Sequence, residues 1–212
     1  MNLIDFFIRH QREIVQATIE HVWLVGMAML LAVAIGVPLG IISARHPWLS
    51  KPILGGANIA ETIPSLALFG FLLPVPWLGE RADRLVITAL ILYALLPIIR
   101  NTTAGISGVD AAVREAARGM GMTKNQILFQ VELPLSVPTI LAGVRVATVL
   151  TIGIATIAAA VGAGGLGEFI FRGLAMVNDQ LILAGAIPAA ALALLADFIL
   201  SLLERRLRPA RT

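Results

Sequence analysis

Five long apolar stretches leave this chain few folds to choose from. They cover residues 22–43, 52–73, 85–99, 137–161 and 181–203. About 20 consecutive apolar residues carry an α-helix across a bilayer. In lipid the backbone must satisfy its own hydrogen bonds, which a helix does within one segment. Across 212 residues, 58% are hydrophobic and 14% are charged, more apolar surface than a soluble domain of this length can bury. The expected fold is therefore an all-α polytopic membrane protein with about five transmembrane helices, forming one domain over 1–212. In the first span Gly36 and Gly40 lie four apart and form a small-residue packing face. The third span is short enough to be kinked at Pro97 or extended by its neighbours.

The flanks are less apolar. Residues 1–20 mix Phe6, Phe7, Ile8, Ile14, Val15 and Ile19 with charges at roughly helical spacing, which predicts an interfacial amphipathic helix. Asp5, Glu13 and Glu20 precede the first apolar run, unlike a signal peptide. Residues 74–84 have turn and interface character, 162–180 form a Gly-rich connection, and the C-terminal tail is basic. That tail reads as an inside anchor or as a contact for anionic lipid headgroups. There is no cysteine, which excludes disulfides and thiolate metal sites. His10, His21 and His46 are scattered and make no metal-ligand spacing. Gly164–Gly167 lacks a following Gly-Lys-Ser/Thr and a preceding strand, so it is no phosphate loop. No Ser-His-Asp or paired-carboxylate arrangement emerges, and the expectation is a chain that is not an enzyme.

One polar stretch interrupts the apolar pattern, residues 110–134, within a loop spanning 107–134. Asp110 is a good N-cap for the helix that follows it. Gly119 and Gly121 are expected to break that helix. Thr123 opens a second helix, and Gln126 three residues on completes a capping box. Ile127, Leu128 and Val131 give it an apolar side, and Pro134 is expected to stop it. A helix-Gly-helix hairpin between two spans, with no candidate base or nucleophile set, is a docking element.

Glu115-Ala116-Ala117, then Gly121, Val131, Leu133 and Pro134, resemble the EAA loop of ABC importer permeases, with Val131 in place of the usual Ile. The runs Ile63-Pro64-Ser65-Leu66-Ala67, Leu96–Thr102 and Gly164–Gly167 are most similar to permeases of glycine betaine, carnitine and choline uptake. The resemblance implies the type I importer permease (MetI-like) fold in a bacterial plasma membrane. It implies a second permease copy or paralogue, ABC ATPase subunits on the coupling helices, and an extracytoplasmic substrate-binding protein. By the same resemblance Glu115, Ala116, Ala117, Gly119, Gly121, Leu133 and Pro134 serve ATPase coupling. No Walker motif occurs here, so ATP and Mg belong on the partner ATPase and this chain binds no cofactor itself. Membrane lipid, and no nucleic acid, is expected around it. A methionine-like substrate is the alternative within the class. A passive channel or secondary transporter is the alternative outside it, although no internal repeat is evident.

Five spans place the termini on opposite sides, and charge orients them. With the loop cytoplasmic, that side holds Arg45, Lys51, Arg100, Arg114, Arg118, Lys124, Arg145, Arg205, Arg206, Arg208 and Arg211. The other side holds Arg9, Arg12, Arg81, Arg84 and Arg172. The positive-inside rule thus gives N-terminus out and C-terminus in.

Three charges, Glu61, Arg145 and Asp197, fall inside spans, where an unpaired charge costs ~2.5–3.5 kcal/mol on insertion scales. At a rise of ~1.5 Å per residue they share a depth, so Arg145 is expected to bridge Asp197, Glu61 or both, as structural glue or as a gating switch. Pro64 bends the second span. Asn58, Glu61, Thr62, Pro64, Ser65 and Tyr93 either line the translocation path or belong to a kinked packing helix whose hydroxyls bond back to its own carbonyls. Trp23, Phe69, Phe71 and Tyr93 are dispersed and fit interfaces or packing rather than a cage for a quaternary ammonium.

Overall fold

The computed structural model describes residues 3–207. The basic tail at 208–212, with Arg208 and Arg211, lies outside the described residues. Among those described every regular element is helical: α1 (Leu3–Arg9), α2 (Gln11–Arg45), α3 (Pro47–Thr62), α4 (Ser65–Leu72), α5 (Ala82–Ser107), α6 (Ala111–Gly119), α7 (Lys124–Ile127), a π-helical turn (Leu128–Glu132), α8 (Leu133–Ala155), a 3₁₀ turn (Ile157–Val161), α9 (Gly167–Met176) and α10 (Asp179–Leu207).

Small residues set the packing of the central helices α2, α5 and α8. A Cβ on Gly36 would fall 2.8 Å from Ile98 Cγ2, and one on Gly40 2.4 Å from Thr102 Cβ. Both glycines face α5, as their spacing predicts. A Cβ on Gly143 of α8 would meet Asn101 Cβ at 2.5 Å and the Pro97 carbonyl at 2.7 Å. Around these close approaches Leu24, Ala28, Ala32, Leu85, Leu90, Ile98, Ala147 and Ala155 form the main core. Without a hydrophobic force between helices in lipid, such backbone proximity is how they hold together.

The same contacts fix the topology. Gly36 meets Ile98 and Gly40 meets Thr102, so α2 and α5 run parallel. Thr151 of α8 lies on Met29 and His21 on the Ile152 carbonyl, whereas Glu132 pairs with Arg45, so α8 is antiparallel to both. Parallel α2 and α5 require the chain between them to return to the starting end, and α3 with α4 makes that return. The long helices α2, α5, α8 and α10 together with this pair make five apolar crossings by length and composition.

Several boundaries differ from those the sequence suggests. Residues 11–20 are not a separate interfacial helix but the first turns of α2. Phe6, Ile14 and Ala17 are buried against Leu166, Phe169, Leu181 and Ala184, whereas Ile8, Val15 and Ile19 stay exposed, so protein covers only part of the apolar side expected at the interface. The second span is two helices bent by 102°, a break more abrupt than a kink. Ile63 adopts an extended conformation, and Pro64 caps α4, the bias a proline imposes on its predecessor. The third span is neither short nor broken, running 26 residues with Pro97 inside it. Pro134 does not stop the second hairpin helix. It sits in the first turn of α8, and the preceding π turn lets Leu133 N–H reach the Leu128 carbonyl. That wider turn makes room for the proline ring and its missing donor. The fourth span accordingly starts earlier than 137 and ends at Ala155, and the Gly-rich connection contains α9.

Candidate functional site: a capped hairpin and the charges behind it

The hairpin between α5 and α8 is built by local signals. Asp110 Oδ1 accepts the Ala112 N–H at 2.9 Å and caps α6. At the far end Met122 N–H reaches the Ala117 carbonyl at 3.2 Å and Gly121 N–H reaches Arg118 at 2.9 Å. This is a Schellman closure, with Gly121 at φ +80 supplying the left-handed residue. Gly119, expected to help break the helix, is instead its last helical residue. Thr123 and Gln126 then form the expected reciprocal box: Thr123 Oγ1 accepts from Gln126 N–H, and Gln126 Oε1 from Thr123 N–H at 2.8 Å.

The outward side of α6 is smooth. Ala111, Ala112, Glu115, Ala116 and Gly119 are exposed and Met120 is 75% exposed, while Ala117 is buried beneath. Short side chains let another protein approach the helix backbone closely. Leu133 and Pro134 lie apart from this side, at the start of α8.

Behind the hairpin sits a carboxylate the sequence did not single out. Glu132, closing the π turn, is 7% exposed. Arg45 Nη2, at the end of α2, lies 3.0 Å from its Oε2, and Arg114 Nη1 of α6 lies 3.9 Å from its Oε1. Arg45 Nη2 also donates to the Lys124 carbonyl at 2.9 Å, and Arg114 Nη2 to the Val109 carbonyl at 2.8 Å. These residues, with Arg118 and Lys124, line a 410 Å³ cavity. No local pattern foretells the cluster, because Arg45 and Glu132 are 87 positions apart.

The intramembrane charges sort differently from expectation. Arg145 Nη1 pairs with Asp197 Oδ1 at 3.6 Å, as anticipated, but its second partner is Glu204, whose Oε2 lies 3.7 Å from Nε. Glu61 makes no ion pair among the described residues. The sequence reading ended the last span at 203, whereas α10 continues to Leu207. Glu204, seven residues or about two turns beyond Asp197, is therefore helical and lies on the same face.

At the α3–α4 break the tentative pathway residues separate. Tyr93 is buried, and its hydroxyl donates to the Ile63 carbonyl that the break leaves free. It packs within the core of this chain. Thr62 Oγ1 bonds back to the Ile59 carbonyl at 2.8 Å. Asn58, Thr62 and Pro64 are exposed on this chain, and Glu61 and Ser65 are half-buried. Phe69 is fully buried, whereas Trp23 and Phe71 are exposed at 49% and 65%. No group of His, Asp and Glu fit to hold a metal occurs among the described residues.

Five crossings around a glycine-packed centre, with a capped polar hairpin between the third and fourth, define a multi-pass membrane protein. Residues 36–209 match the family described as the binding-protein-dependent transport system inner membrane component, and the chain belongs to that family. It is 41% identical to the osmoprotectant import permease protein OsmW of Salmonella typhimurium, over 99% of this chain and 98% of that one. It is 45% identical to the glycine betaine/carnitine/choline transport system permease protein OpuCD of Bacillus subtilis, over 93% and 86% respectively. Its fold is shared by an inward-facing structure of the MetNI methionine ABC transporter, at 21% identity and TM-score 0.81, over 92% of this chain and 95% of that one.

Proposed function

We propose that this chain is the permease that carries a quaternary-amine osmoprotectant (glycine betaine, choline or carnitine) through an ATP-driven importer. The observation that carries the substrate class is near end-to-end similarity, above 40% identity, to relatives named for those solutes. In this reading the chain is one permease domain, paired with a second copy or a paralogue. The hairpin side bearing Glu115, Ala116 and Gly119, backed by the buried Ala117 and turned by Gly121, docks on a separate ATPase that holds ATP and Mg. ATP-driven closure of the ATPases draws the hairpins together and opens the pathway outward. Asn58, Glu61, Thr62 and Ser65, around the α3–α4 break, line the path. With the hairpin cytoplasmic, the N-terminus lies outside and the C-terminus inside, as the distribution of Lys and Arg supports. Aromatics are only 6% of the chain, and Trp23, Phe69, Phe71 and Tyr93 are dispersed, so we place selectivity for the ammonium group with the extracytoplasmic binding protein.

The test is uptake of labelled glycine betaine, choline and carnitine at high osmolarity, in cells with and without this chain. The cognate ATPase and binding protein are present in both. Uptake that requires the chain and ATP is expected. No uptake, with the ATPase still co-purifying, would move the substrate to another zwitterion.

A further inference from the structure

We infer that Glu132 is a positioning residue that converts movement of the docked hairpin into movement of the spans. It does so by tying the hairpin to α2 through Arg45 and to α6 through Arg114. The inference rests on the reading of the hairpin as the ATPase dock. Glu132 lies away from the exposed α6 side assigned to that dock, and its carboxylate is nearly buried. Each of its oxygens faces a guanidinium from a different element, at 3.0 and 3.9 Å. Through the second bonds of those guanidiniums, to Lys124 and Val109, the one carboxylate reaches α2, the start of α6, α7 and α8.

Apolar anchoring of the hairpin is thin. Ala117 is the only buried residue of α6 and Ile127 the only one of α7, with Val109 before the one and Leu128 after the other. Apolar packing has no direction of its own, so on these few side chains alone the hairpin could slide when pulled. The ion cluster holds direction as well as distance, because a carboxylate fixed between two guanidinium planes is specified in orientation. Its place at the end of the π turn matters too. The wider turn interrupts the regular ladder into α8 and gives the hairpin a compliant root, so that force passes through the charged tie into α2 as well as along α8.

The experiment uses the whole complex in proteoliposomes, reading ATPase capture, basal ATP hydrolysis and substrate transport separately. Glu132→Ala and Glu132→Gln are expected to keep capture and basal hydrolysis, while transport per ATP falls at least about tenfold. Arg45→Ala should do the same, and Arg45→Ala with Glu132→Ala should be no worse than either alone. Glu132→Gln preserves the shape, so it remains informative if the alanine variant folds poorly. Unchanged transport would overturn the inference. Loss of ATPase capture by folded Glu132→Gln would also overturn it, by making Glu132 part of the dock. Failure of the docking reading is distinguishable: in that case Glu115→Lys and Gly121→Pro would retain the ATPase.

Discussion

A methyl group at Gly40 would land 2.4 Å from Thr102 Cβ and 3.0 Å from the Ile99 carbonyl, with backbone on one side leaving nothing to yield. Gly26, on the same helix, has nothing within 4 Å. Gly40→Ala should therefore cost about 1–3 kcal/mol of stability by overpacking. Gly26→Ala should be neutral, or stabilising by up to about 1 kcal/mol through the unfolded chain and helix propensity. Thermal unfolding of the two variants in detergent reads the difference. Arg145 offers a second contrast, because its two carboxylates are unequally buried. The side chain of Glu204 is 8% exposed and that of Asp197 51%. Arg145→Ala takes a guanidinium from a carboxylate far more buried at Glu204 than at Asp197, so Arg145→Ala with Glu204→Gln should melt at a higher temperature than Arg145→Ala alone. Adding Asp197→Asn instead should recover less. Equal recovery from both would contradict the burial argument.

At the scale of elements, what the sequence disclosed was what neighbours in the chain decide. Asp110, Thr123 and Gln126 cap helices within three residues of themselves, and each bond is present. Gly121 was legible because only a left-handed residue closes a Schellman end, whereas Gly119, equally a glycine, remained helical. Pro134 misled for a related reason. A proline ends a helix by default, but a π turn just upstream accommodates it at the first turn of the next. Partners far apart were not legible at all. Glu132 finds Arg45 across 87 positions, and Tyr93 finds the Ile63 carbonyl across 30; only tertiary packing, at the end of α2 in one case and of the α3–α4 break on α5 in the other, brings such groups together. That last bond satisfies the carbonyl that the break between α3 and α4 leaves free. Tyr93→Phe leaves the Ile63 carbonyl without its donor in an apolar setting, at a cost of about 1–3 kcal/mol. Unfolding in detergent should show that loss, and Tyr93→Leu should show more because the ring packing goes as well.

For the whole molecule, the decisive feature is the parallel course of α2 and α5. Two parallel neighbours in a membrane cannot be joined by a surface loop alone, so the bent pair α3–α4 must cross. This places Trp77 and Val177 at one end of the bundle and Met120 at the other. All three are well exposed, at 62%, 89% and 75%. Because the chain contains no cysteine, a single cysteine at each position reports its side without background. In intact cells a membrane-impermeant thiol reagent should label Trp77→Cys and Val177→Cys but reach Met120→Cys only after permeabilisation. Labelling of Trp77→Cys and Val177→Cys from opposite sides would break the five-crossing topology. Labelling of Met120→Cys alone in intact cells would keep the topology and invert its orientation, placing the hairpin where no ATPase can reach it. The distribution of Lys and Arg argues against inversion, since moving the hairpin out would carry Arg114, Arg118 and Lys124 with it against the positive-inside bias.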